Sequence, residues 1–516
     1  MNVAIVNTYS YRPHNEHLIF LKSLLDKTNN NVFLVGCNGG ATSCNTLITK
    51  KIKNSSKLTC LICKEFGLKA FHKLDHKVSP KPIKDLNKLD SEIPLSTLFT
   101  SSRAETPNEV KNIKTSPHYS TLLESTNAMK YNFQEFIQKQ NIDFVFGFNG
   151  RMDLMRAIRF ACGDLKIPFI GVERPWFGKG MLLTPNEGPL GTGSLTKIWN
   201  QFKNKPLTSN QIDRALLPVA KRKLKSVQSE FMSFNDNHTE TEWKKINPDS
   251  KTKVLFLPSS RMEHLSEFQR KSNEWDHPLE GLTYLFTKGI LNKNDIIIRF
   301  HPIWAKNIFG KDAKNCIDYY KTYCRNHGIS YVSENSNILT ASLIEESDVV
   351  VLNGGSAFFE ASVLGKPVIS LSRSFYDSSG YQKNIFSKLE ADKLKIEELL
   401  SLNKEEPIRV AIRFLYCFQF RYHQLTEEVF HKSAKKAIFR VTEKGVKTIQ
   451  SIINNGTIEA YDSLYASSIN DENKIIESIK AGNIKWTEVS GEELDLNQFF
   501  SIKRNNKIKE MISGML

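Results

Sequence analysis

The chain has 516 residues, of which 40% are hydrophobic and 24% charged, the balance of a globular protein with two or three domains. No apolar run is long enough to span a bilayer, and the first residues are strand-like rather than a signal peptide, so we expect a cytoplasmic protein. The net charge of +16 predicts an anionic partner. Because the basic residues are spread along the chain, the composition argues against a nucleic-acid module.

Eight cysteines are present, and four of them cluster near the N-terminus. The cluster has the spacing C-x6-C-x15-C-x2-C and consists of Cys37, Cys44, Cys60 and Cys63. Its C-x2-C part is a half-site for tetrahedral zinc, although the first pair is more widely spaced than in a standard zinc ribbon. With His72 and His76 as spare ligands, the cluster is a candidate structural zinc site; the alternative is free thiols in a reducing cytosol.

Strands and helices alternate in the first half of the chain. Strands are predicted at 2–7, 31–36, 142–148 and 169–172, and helices at 17–26, 121–140 and 209–233. A further helix is predicted to follow the turn at 149–151 and to end at Ala161. Between Cys37 and Ser116 the pattern weakens into Lys, Ser, Asn and Pro, which predicts an insertion and connector. Residues 176–193 are rich in Gly and Pro and predict a long loop.

Two consecutive predicted strands end in polar residues. The residues concerned are Asn149, Gly150 and Arg151 after one strand, and Glu173 and Arg174 after the next. Ligands of open α/β sheets bind at the carboxyl ends of the strands, so we expect a site there. The alternative is that the two arginines are solvated or paired with local acids such as Asp153.

The second half repeats the alternation after a polar segment at 235–251. Strands are predicted at 254–258, 295–300, 329–332, 348–352 and 368–371, and helices at 279–288, 315–327, 338–346 and 357–364. Such alternation predicts a parallel sheet. Two domains of this kind around a linker predict an α/β fold of the GT-B type, in which two Rossmann-like domains face each other across a cleft.

A glycine-rich turn lies in the middle of this second domain. Asn353-Gly354-Gly355-Ser356 joins a β-branched strand to a helix that should stop at Gly365, with Pro367 just beyond. Glycines allow backbone amides to approach an anion closely. The turn is therefore a candidate phosphate site, and the alternative is an ordinary crossover in which the glycines serve only the turn.

The C-terminal region is predicted to be helical from about Asp392. Residues 407–425 combine aromatic side chains with arginines. They suit either a helix on a membrane surface or a core helix that returns across the domain interface, and the second interpretation is favoured because the aromatics occupy too many faces. Residues 430–516 read as a polar helical tail.

The sequence resembles the capsule polysaccharide biosynthesis proteins, and most of all their branch of retaining β-Kdo and related nonulosonic acid transferases. The resemblance covers about residues 140–385 in scattered blocks. The blocks are Asn149-Gly150-Arg151, Glu173-Arg174, His301-Pro302, Ser356-x3-Glu360-Ala361, Gly365-Lys366-Pro367-Val368 and Phe375-Tyr376. One departure concerns Glu173: some members continue with an acidic residue and glycine, whereas Arg174-Pro175 follow here.

The resemblance implies a GT-B glycosyltransferase that moves Kdo or a related 2-keto sugar acid from a CMP-activated donor to a capsule- or lipopolysaccharide-type acceptor, with retention. We expect an N-terminal acceptor-side domain at 1–235 that contains the cysteine insertion, and a linker at 236–251. A nucleotide-sugar-binding domain follows at 252–390, and a helical extension at 391–516 packs partly on the N-terminal domain. The acceptor is a glycan or a lipid-linked glycan, and peripheral contact with the anionic inner face of the membrane is compatible with the basic charge.

CMP leaves as a phosphate monoester, so one phosphate must be stabilised. The Gly354 and Gly355 amides and the Ser356 hydroxyl suit that role, while His301 suits the phosphate or the cytidine. Glu360 suits the ribose hydroxyls, unless it is a capping-box partner of Ser356. The complete expected donor set is Ser259, Ser260, His301, Pro302, Asn353, Gly354, Gly355, Ser356 and Glu360. No D-x-D motif occurs, so we expect no metal cofactor for catalysis.

Retention requires a carboxylate nucleophile with a second acid/base group, or a front-side route. Glu173 is the first candidate for the catalytic carboxylate, and Glu274 and Asp276 on a loop of the other domain are the second. Arg151 or Arg174, with Asn149 and Gly150 beside them, would hold the carboxylate of the sugar acid or the acceptor.

Two other functions fit the same sequence. A UDP- or GDP-sugar transferase would need a diphosphate-binding pair near the glycine turn, for which Lys366 and Arg373 are the close candidates. A non-catalytic glycan- or nucleotide-binding protein of the capsule machinery would keep the fold and could dispense with Glu173.

Overall fold

The computed structural model of the chain describes residues 1–50, 52–81, 89–224, 242–261, 265, 275–308, 310–491 and 495–505. Two six-stranded sheets with helices around them form the centres of two Rossmann-like domains. The α/β class and the GT-B architecture expected from the sequence are confirmed.

The first sheet is built from apolar strands whose side chains are buried on both faces. Its strands are β1 (Asn2–Asn7), β2 (Asn31–Cys37), β3 (His76–Val78), β4 (Phe144–Phe148), β5 (Phe169–Glu173) and β6 (Leu182–Pro185). The order is β3-β2-β1-β4-β5-β6, and the pairs are parallel except for β5 with β6. The long loop predicted at 176–193 is thus wrong in part, because four of its residues form the antiparallel edge strand β6.

Nine helices of the described residues belong to this half of the chain. They are α1 (His14–Leu25), α2 (Asn45–Thr49), α3 (Ser56–Phe66), α4 (Leu95–Ser102), α5 (Pro107–Lys111), α6 (Tyr119–Gln140), α7 (Asp153–Asp164), α8 (Gly193–Phe202) and α9 (Ser209–Lys223). Thr208 begins α9 with a capping box whose partner is Gln211. Residues 225–233 of the predicted helix, and residues 236–241 of the predicted linker, lie outside the described residues.

The segment from Cys37 to Ser116 is more structured than its composition predicts. It contributes β3 to the first sheet, and residues 95–101 of α4 are buried. A small apolar core forms around Leu95, Leu98 and Phe99. The interpretation as a mere connector is wrong, because polar residues such as Ser96 and Thr97 are buried here through hydrogen bonds that the sequence does not reveal.

The second sheet is parallel throughout. Its strands are β7 (Val254–Leu257), β8 (Ile296–Arg299), β9 (Ser330–Val332), β10 (Val349–Leu352), β11 (Val368–Ser370) and β12 (Lys383–Asn384), in the order β12-β11-β10-β7-β8-β9. Its helices are α10 (Pro278–Thr287), α11 (Lys314–His327), α12 (Thr340–Glu346), α13 (Ala357–Val363), α14 (Lys388–Asp392) and α15 (Ile396–Leu400). Gly365 has φ +66° just after α13, as the predicted stop requires.

The last region crosses back between the two domains. It contains α16 (Glu405–Tyr416), a π-helical turn at Cys417–Tyr422, β13 (Val429–Ser433), β14 (Lys436–Phe439), α17 (Glu443–Asn455) and α18 (Asn470–Lys480). Phe414 of α16 lies between Trp199 of the first domain and Phe359 of the second, with ring centroids 5.2 and 6.3 Å away. This is the core helix that the aromatic pattern favours.

The polar helical tail predicted from residue 430 is wrong at its start. β13 and β14 form an antiparallel hairpin, and Phe439 stacks on Phe20 of α1 with ring centroids 4.9 Å apart. The hairpin packs against the first domain, and its buried side chains include Val429, Ile438 and Phe439. Within the described ranges, every helix is too short or too polar to cross a lipid bilayer.

Candidate active site

The two polar strand ends of the first sheet meet at one carboxylate. The Asn149 side-chain amide donates to Glu173 Oε2 at 2.9 Å, and Asn149 Oδ1 accepts from the Arg151 amide at 2.7 Å. Asn149 and Gly150 have φ +41° and +68°, which turns the chain sharply after β4. The predicted neighbours Asn149 and Glu173 are therefore in direct contact.

His14 is the third member of this group and was not predicted. Its Nε2 makes a short hydrogen bond to Glu173 Oε1, which also accepts from the Arg174 amide at 2.8 Å. His14 begins α1, just after the carboxyl end of β1. Its position soon after β1 was the signal that the sequence offered. The segment between β1 and α1 lies at the same edge of the sheet as the carboxyl ends of β4 and β5.

The environment keeps Glu173 ionised. Burial would raise the pKa of the carboxyl group, but the nearby His14 and the donors on His14, Asn149 and the Arg174 amide together lower it. The side chains of His14 and Glu173 are still 15% and 19% exposed. Glu173 is thus a charged, positioned carboxylate that a ligand can reach.

The two predicted clamp arginines are buried. Arg151 donates through Nη1 to Thr100 Oγ1 at 2.9 Å and to Ser96 Oγ at 3.4 Å, both on α4. Arg174 lies near the His17 and His431 rings, and its charge adds to the effect of burial, which lowers the pKa of both. Their role toward a sugar carboxylate stays a prediction.

On the second sheet, Asn353 joins two strand ends. Its Oδ1 accepts from the Ser259 amide at 2.5 Å, and its Nδ2 donates to the Ser259 carbonyl at 3.4 Å. Gly354 and Gly355 have φ +123° and +88°, and a Cβ on Gly355 would lie 3.4 Å from the Ser259 side chain. The predicted donor residues Ser259, Asn353, Gly354 and Gly355 therefore lie together in two adjacent turns, one after β7 and one after β10, which we call the turn pair.

Arg222 of α9 reaches this turn from the other half of the chain. Its Nη2 donates to Ser356 Oγ at 3.0 Å, and its Nη1 lies 3.1 Å from Glu360 Oε2. The Ser356 hydroxyl makes no capping hydrogen bond to the described helix α13, so the capping-box alternative for Glu360 is wrong. Sequence reasoning missed Arg222 because it lies more than 130 residues before Ser356.

His301 and Pro302 follow β8 and begin a 3-10 turn at Pro302–Ala305. His301 Nδ1 accepts from the Ile303 amide at 3.0 Å. Burial, with Arg299 and Arg103 nearby, lowers the pKa of His301 to about 4. The ring is therefore neutral at physiological pH, and its hydrogen is on Nε2, which makes it a donor.

Among the described residues, no hydrogen bond joins Asp276, one of the two second-choice carboxylates, to Glu173. Asp276 is exposed just before α10, where its amide donates to Glu280 and its carbonyl accepts from Arg261. Glu274 lies outside the described residues. Ser260, predicted to bind the donor, instead donates from its hydroxyl to Glu105, a buried carboxyl group that the sequence did not single out.

The two strand edges approach each other through aromatic residues that follow Glu173. Trp176 meets Phe375 of the second domain with ring centroids 4.7 Å apart, and Phe177 meets Phe359 at 5.3 Å. The Arg222 guanidinium lies 5.4 Å from the centre of the Phe177 ring. The segment after Glu173 and the helix that follows Ser356 are thus packed against each other through aromatic rings.

The diphosphate candidates lie elsewhere. Lys366 precedes β11, at the opposite edge of the sheet, and its Nζ donates to the carbonyls of Glu345 and Ser347 at 2.6 and 2.9 Å. Arg373 lies over the Phe386 ring at 4.6 Å and 3.9 Å from Asp377. The pair expected for a nucleoside diphosphate is not assembled at the turn.

All eight cysteines are free thiols. In the parts of the chain that the structure describes, no three His, Cys, Asp or Glu side chains are arranged to hold a metal. Burial raises the pKa of Cys37 to about 12 and raises that of Cys63 as well, which favours the protonated thiol. The zinc site at Cys37, Cys44, Cys60 and Cys63 stays a prediction.

Comparisons with known proteins found no matching family model and no matching curated protein. Among solved structures, the chain is similar to the β-Kdo 2,4 transferase KpsC of Thermosulfurimonas dismutans, with 11% identity over 65% of this chain and 87% of that chain and a TM-score of 0.34. It is also similar to the UDP-GlcNAc 2-epimerase of Methanocaldococcus jannaschii, with 14% identity, coverage of 80% and 98% and a TM-score of 0.30. A third is the spinosyn rhamnosyltransferase SpnG, with 11% identity, coverage of 80% and 95% and a TM-score of 0.27.

Proposed function

We propose that this protein is a glycosyltransferase that moves Kdo or a related 2-keto sugar acid from a CMP-activated donor to a capsule- or lipopolysaccharide-type acceptor, with retention. The observation that carries the proposal is the Glu173 carboxylate, ionised and held by His14 and Asn149 at the edge of the first sheet. The aromatic residues that follow it pack against α13, the helix that begins after the glycine turn of the second sheet. This is the arrangement that a transfer reaction between two domains requires.

The charge at the glycine turn supports a donor with one phosphate. Arg222 brings one guanidinium to Ser356, and neutral His301 is a hydrogen-bond donor at the end of β8. A CMP leaving group would be met by that cation and by the glycine-turn amides. Lys366 and Arg373 are engaged elsewhere, which weakens the case for a UDP- or GDP-sugar.

Glu173 is proposed as the catalytic carboxylate. In a double displacement it would form a bond to the anomeric carbon while the bond from that carbon to the phosphate oxygen breaks and CMP leaves. The acceptor oxygen would then displace the carboxylate and lose its proton to a base. His14 and Asn149 act as positioning residues, because each donates a hydrogen bond that fixes one carboxylate oxygen.

The test is thermal unfolding of the full chain with CMP, UMP, CDP, UDP or GDP. A ligand at about 100 times its dissociation constant stabilises by about 2.7 kcal/mol. We expect selective stabilisation by CMP that is lost in His301→Ala and kept in His72→Ala, a histidine on the exposed surface. Stabilisation by UDP or GDP instead would overturn the CMP donor, and no response to any nucleotide would overturn the transferase.

A further inference from the structure

Arg103 of the first domain holds a loop of the second. It follows α4 in a left-handed conformation (φ +50°) and is 3% exposed. Its guanidinium donates to three backbone carbonyls, those of Ile303 at 3.2 Å, Lys306 at 2.6 Å and Lys311 at 3.1 Å. These carbonyls belong to the loop that begins at His301, so one side chain of the first domain binds three backbone acceptors of that loop.

Two residues later, Glu105 holds a second loop of the same domain. It is 2% exposed and accepts hydrogen bonds from the Ser260 hydroxyl and, at 2.7 Å, from the Arg261 amide. Its backbone carbonyl accepts from Arg261 Nη1 at 3.0 Å. Ser260 follows Ser259, whose amide is bonded to Asn353, so Glu105 supports the turn pair from the side of the first domain.

Apolar and polar contacts continue along the same segment. Leu265, from beyond β7, belongs to the small core that contains Leu98 and Phe99 of α4. Farther on, Asn315 of α11 donates to Glu109 Oε1 at 2.8 Å on the exposed rim. The segment therefore has a buried centre at Arg103 and Glu105 and a solvent-exposed edge at Glu109.

We propose that Arg103 and Glu105 form an interdomain clamp in which Glu105 is the positioning residue for the donor loops. Glu105 fixes the Ser259–Arg261 loop against the Asn353 turn, and Arg103 fixes the loop that carries His301. The loops of the second domain take their binding arrangement only when this segment of the first domain is docked. The effect on the donor rests on the proposed function, whereas the clamp itself does not.

The clamp has a predictable dependence on pH. Burial raises the pKa of Glu105 to about 7, and the bonds from Ser260 and Arg261 and the charges of Arg261 and Arg103 oppose that rise only in part. The other titratable groups that face Glu105 are His277 before α10 and Cys316 and Tyr320 of α11. An open clamp would return the carboxyl group to its ordinary pKa near 4.5. The closed form therefore binds the proton more tightly, and closure weakens as pH rises through 7.

The test is hydrogen exchange of the full chain, corrected for intrinsic rates, in peptides that cover 253–261 and 300–308 at pH 6 and pH 8. We expect the unsubstituted protein to be protected more strongly at pH 6. Glu105→Ala should exchange at least tenfold faster at both pH values. Glu105→Gln should stay protected at both, because its amide reproduces the donor and the acceptor of the neutral acid. Asn315→Ala, the matched control at the exposed rim, should behave as the unsubstituted protein.

Three results would overturn the clamp: unchanged protection in Glu105→Ala, equal loosening in Asn315→Ala, or the same pH profile in Glu105→Gln as in the unsubstituted protein. If Glu105→Ala does not fold, the pH profile of Glu105→Gln decides alone. The dissociation constant of CMP separates the two proposals. A tenfold weakening in Glu105→Ala is expected, and no change would overturn the donor-positioning role. Failure of the unsubstituted protein to bind any nucleotide would overturn the proposed function, while the exchange data would still decide the clamp.

Discussion

Glu173 shows how a partly buried carboxylate keeps its charge. Three donors converge on it, from the first turn of α1, from the end of β4 and from its own following amide. Each belongs to a different place in the sequence. Their combined effect outweighs burial and lowers the pKa, so the carboxylate is ionised over the whole physiological range.

We predict that Glu173→Gln lowers the turnover number about a thousandfold while leaving the CMP dissociation constant within about threefold. The amide keeps the shape of the side chain but carries no charge to meet the developing positive charge of the sugar. Single-turnover kinetics with a CMP-sugar acid would measure the loss. Glu187→Gln, an acid in the loop after β6, is the control, and a similar loss there would contradict the assignment.

His423 is a buried imidazole whose two ring nitrogens have no hydrogen-bond partner among the described residues. Burial lowers its pKa to about 3, so the ring is neutral. We predict that His423→Leu raises the free energy of unfolding by about 1 kcal/mol at pH 7.5, because the desolvation of unpaired polar atoms is removed. Urea unfolding would measure this change, and a loss of stability would show that the imidazole has an essential partner.

At the level of elements, α9 connects the two halves of the candidate site. Its last turn carries Arg222 and Lys223 side by side, and each pairs with a carboxylate of the second domain. The Arg222 pair with Glu360 lies at the glycine turn, and the Lys223 pair with Glu345 lies on α12. The two neighbours therefore make similar ion pairs at different places in the second domain.

We predict that Arg222→Gln weakens CMP binding at least tenfold and leaves the binding of cytidine, which has no phosphate, unchanged. The lost charge-assisted hydrogen bonds to phosphate are the physical reason. Lys223→Gln is the matched control and should leave both dissociation constants unchanged. Calorimetric titration would measure them, and equal weakening of cytidine and CMP would place Arg222 away from the phosphate.

The hairpin β13–β14 is attached to α1 through two histidines. His17 and His431 lie with their Nε2 atoms 3.1 Å apart, so one nitrogen donates and the other accepts. Burial lowers the pKa of His17 well below its usual range and that of His431 to about 3. Both rings must therefore be neutral for the hairpin to dock.

We predict that the contribution of this histidine pair to the free energy of unfolding is complete above pH 6.5 and falls as pH decreases toward 3. The unfolded chain takes up protons near pH 6.5, whereas the folded pair does not. Each histidine therefore lowers the free energy of unfolding by about 1.4 kcal/mol for each pH unit below 6.5 in that range. Urea unfolding at pH 7.5, 6 and 5 would measure the slope. His431→Gln, which cannot ionise, should reduce it, and an unchanged slope would contradict the assignment.

For the whole molecule, the net charge of +16 favours a location at an anionic membrane surface, where a lipid-linked acceptor would be bound. We predict binding to anionic vesicles at physiological salt and release at about 0.5 M salt, because surface charges are screened over a few ångströms there. Co-sedimentation with phosphatidylglycerol vesicles would measure it, with neutral vesicles as the control. No binding at physiological salt would exclude attachment to the inner leaflet by charge.

Local sequence patterns were enough to predict most of the strands and helices of the two sheets. Runs such as 2–7 and 349–352 are short, apolar and rich in β-branched residues, a combination that favours buried strands. Gly365 marked a helix end because few other residues adopt its positive φ. The patterns failed at β6, at α4 and at the hairpin, where polar or glycine-rich residues are buried through partners distant in the chain.

By itself, the sequence determined the two-domain α/β fold and the strand ends at which polar residues gather, because strand periodicity and turn residues act over a few positions. Only the tertiary structure decided which of those residues meet. His14 joins Glu173 across 159 positions, Arg222 reaches Ser356 across 134, and Glu105 supports Ser260 across 155. Such contacts depend on the parallel order of the strands and the docking of the domains, and no local pattern contains either.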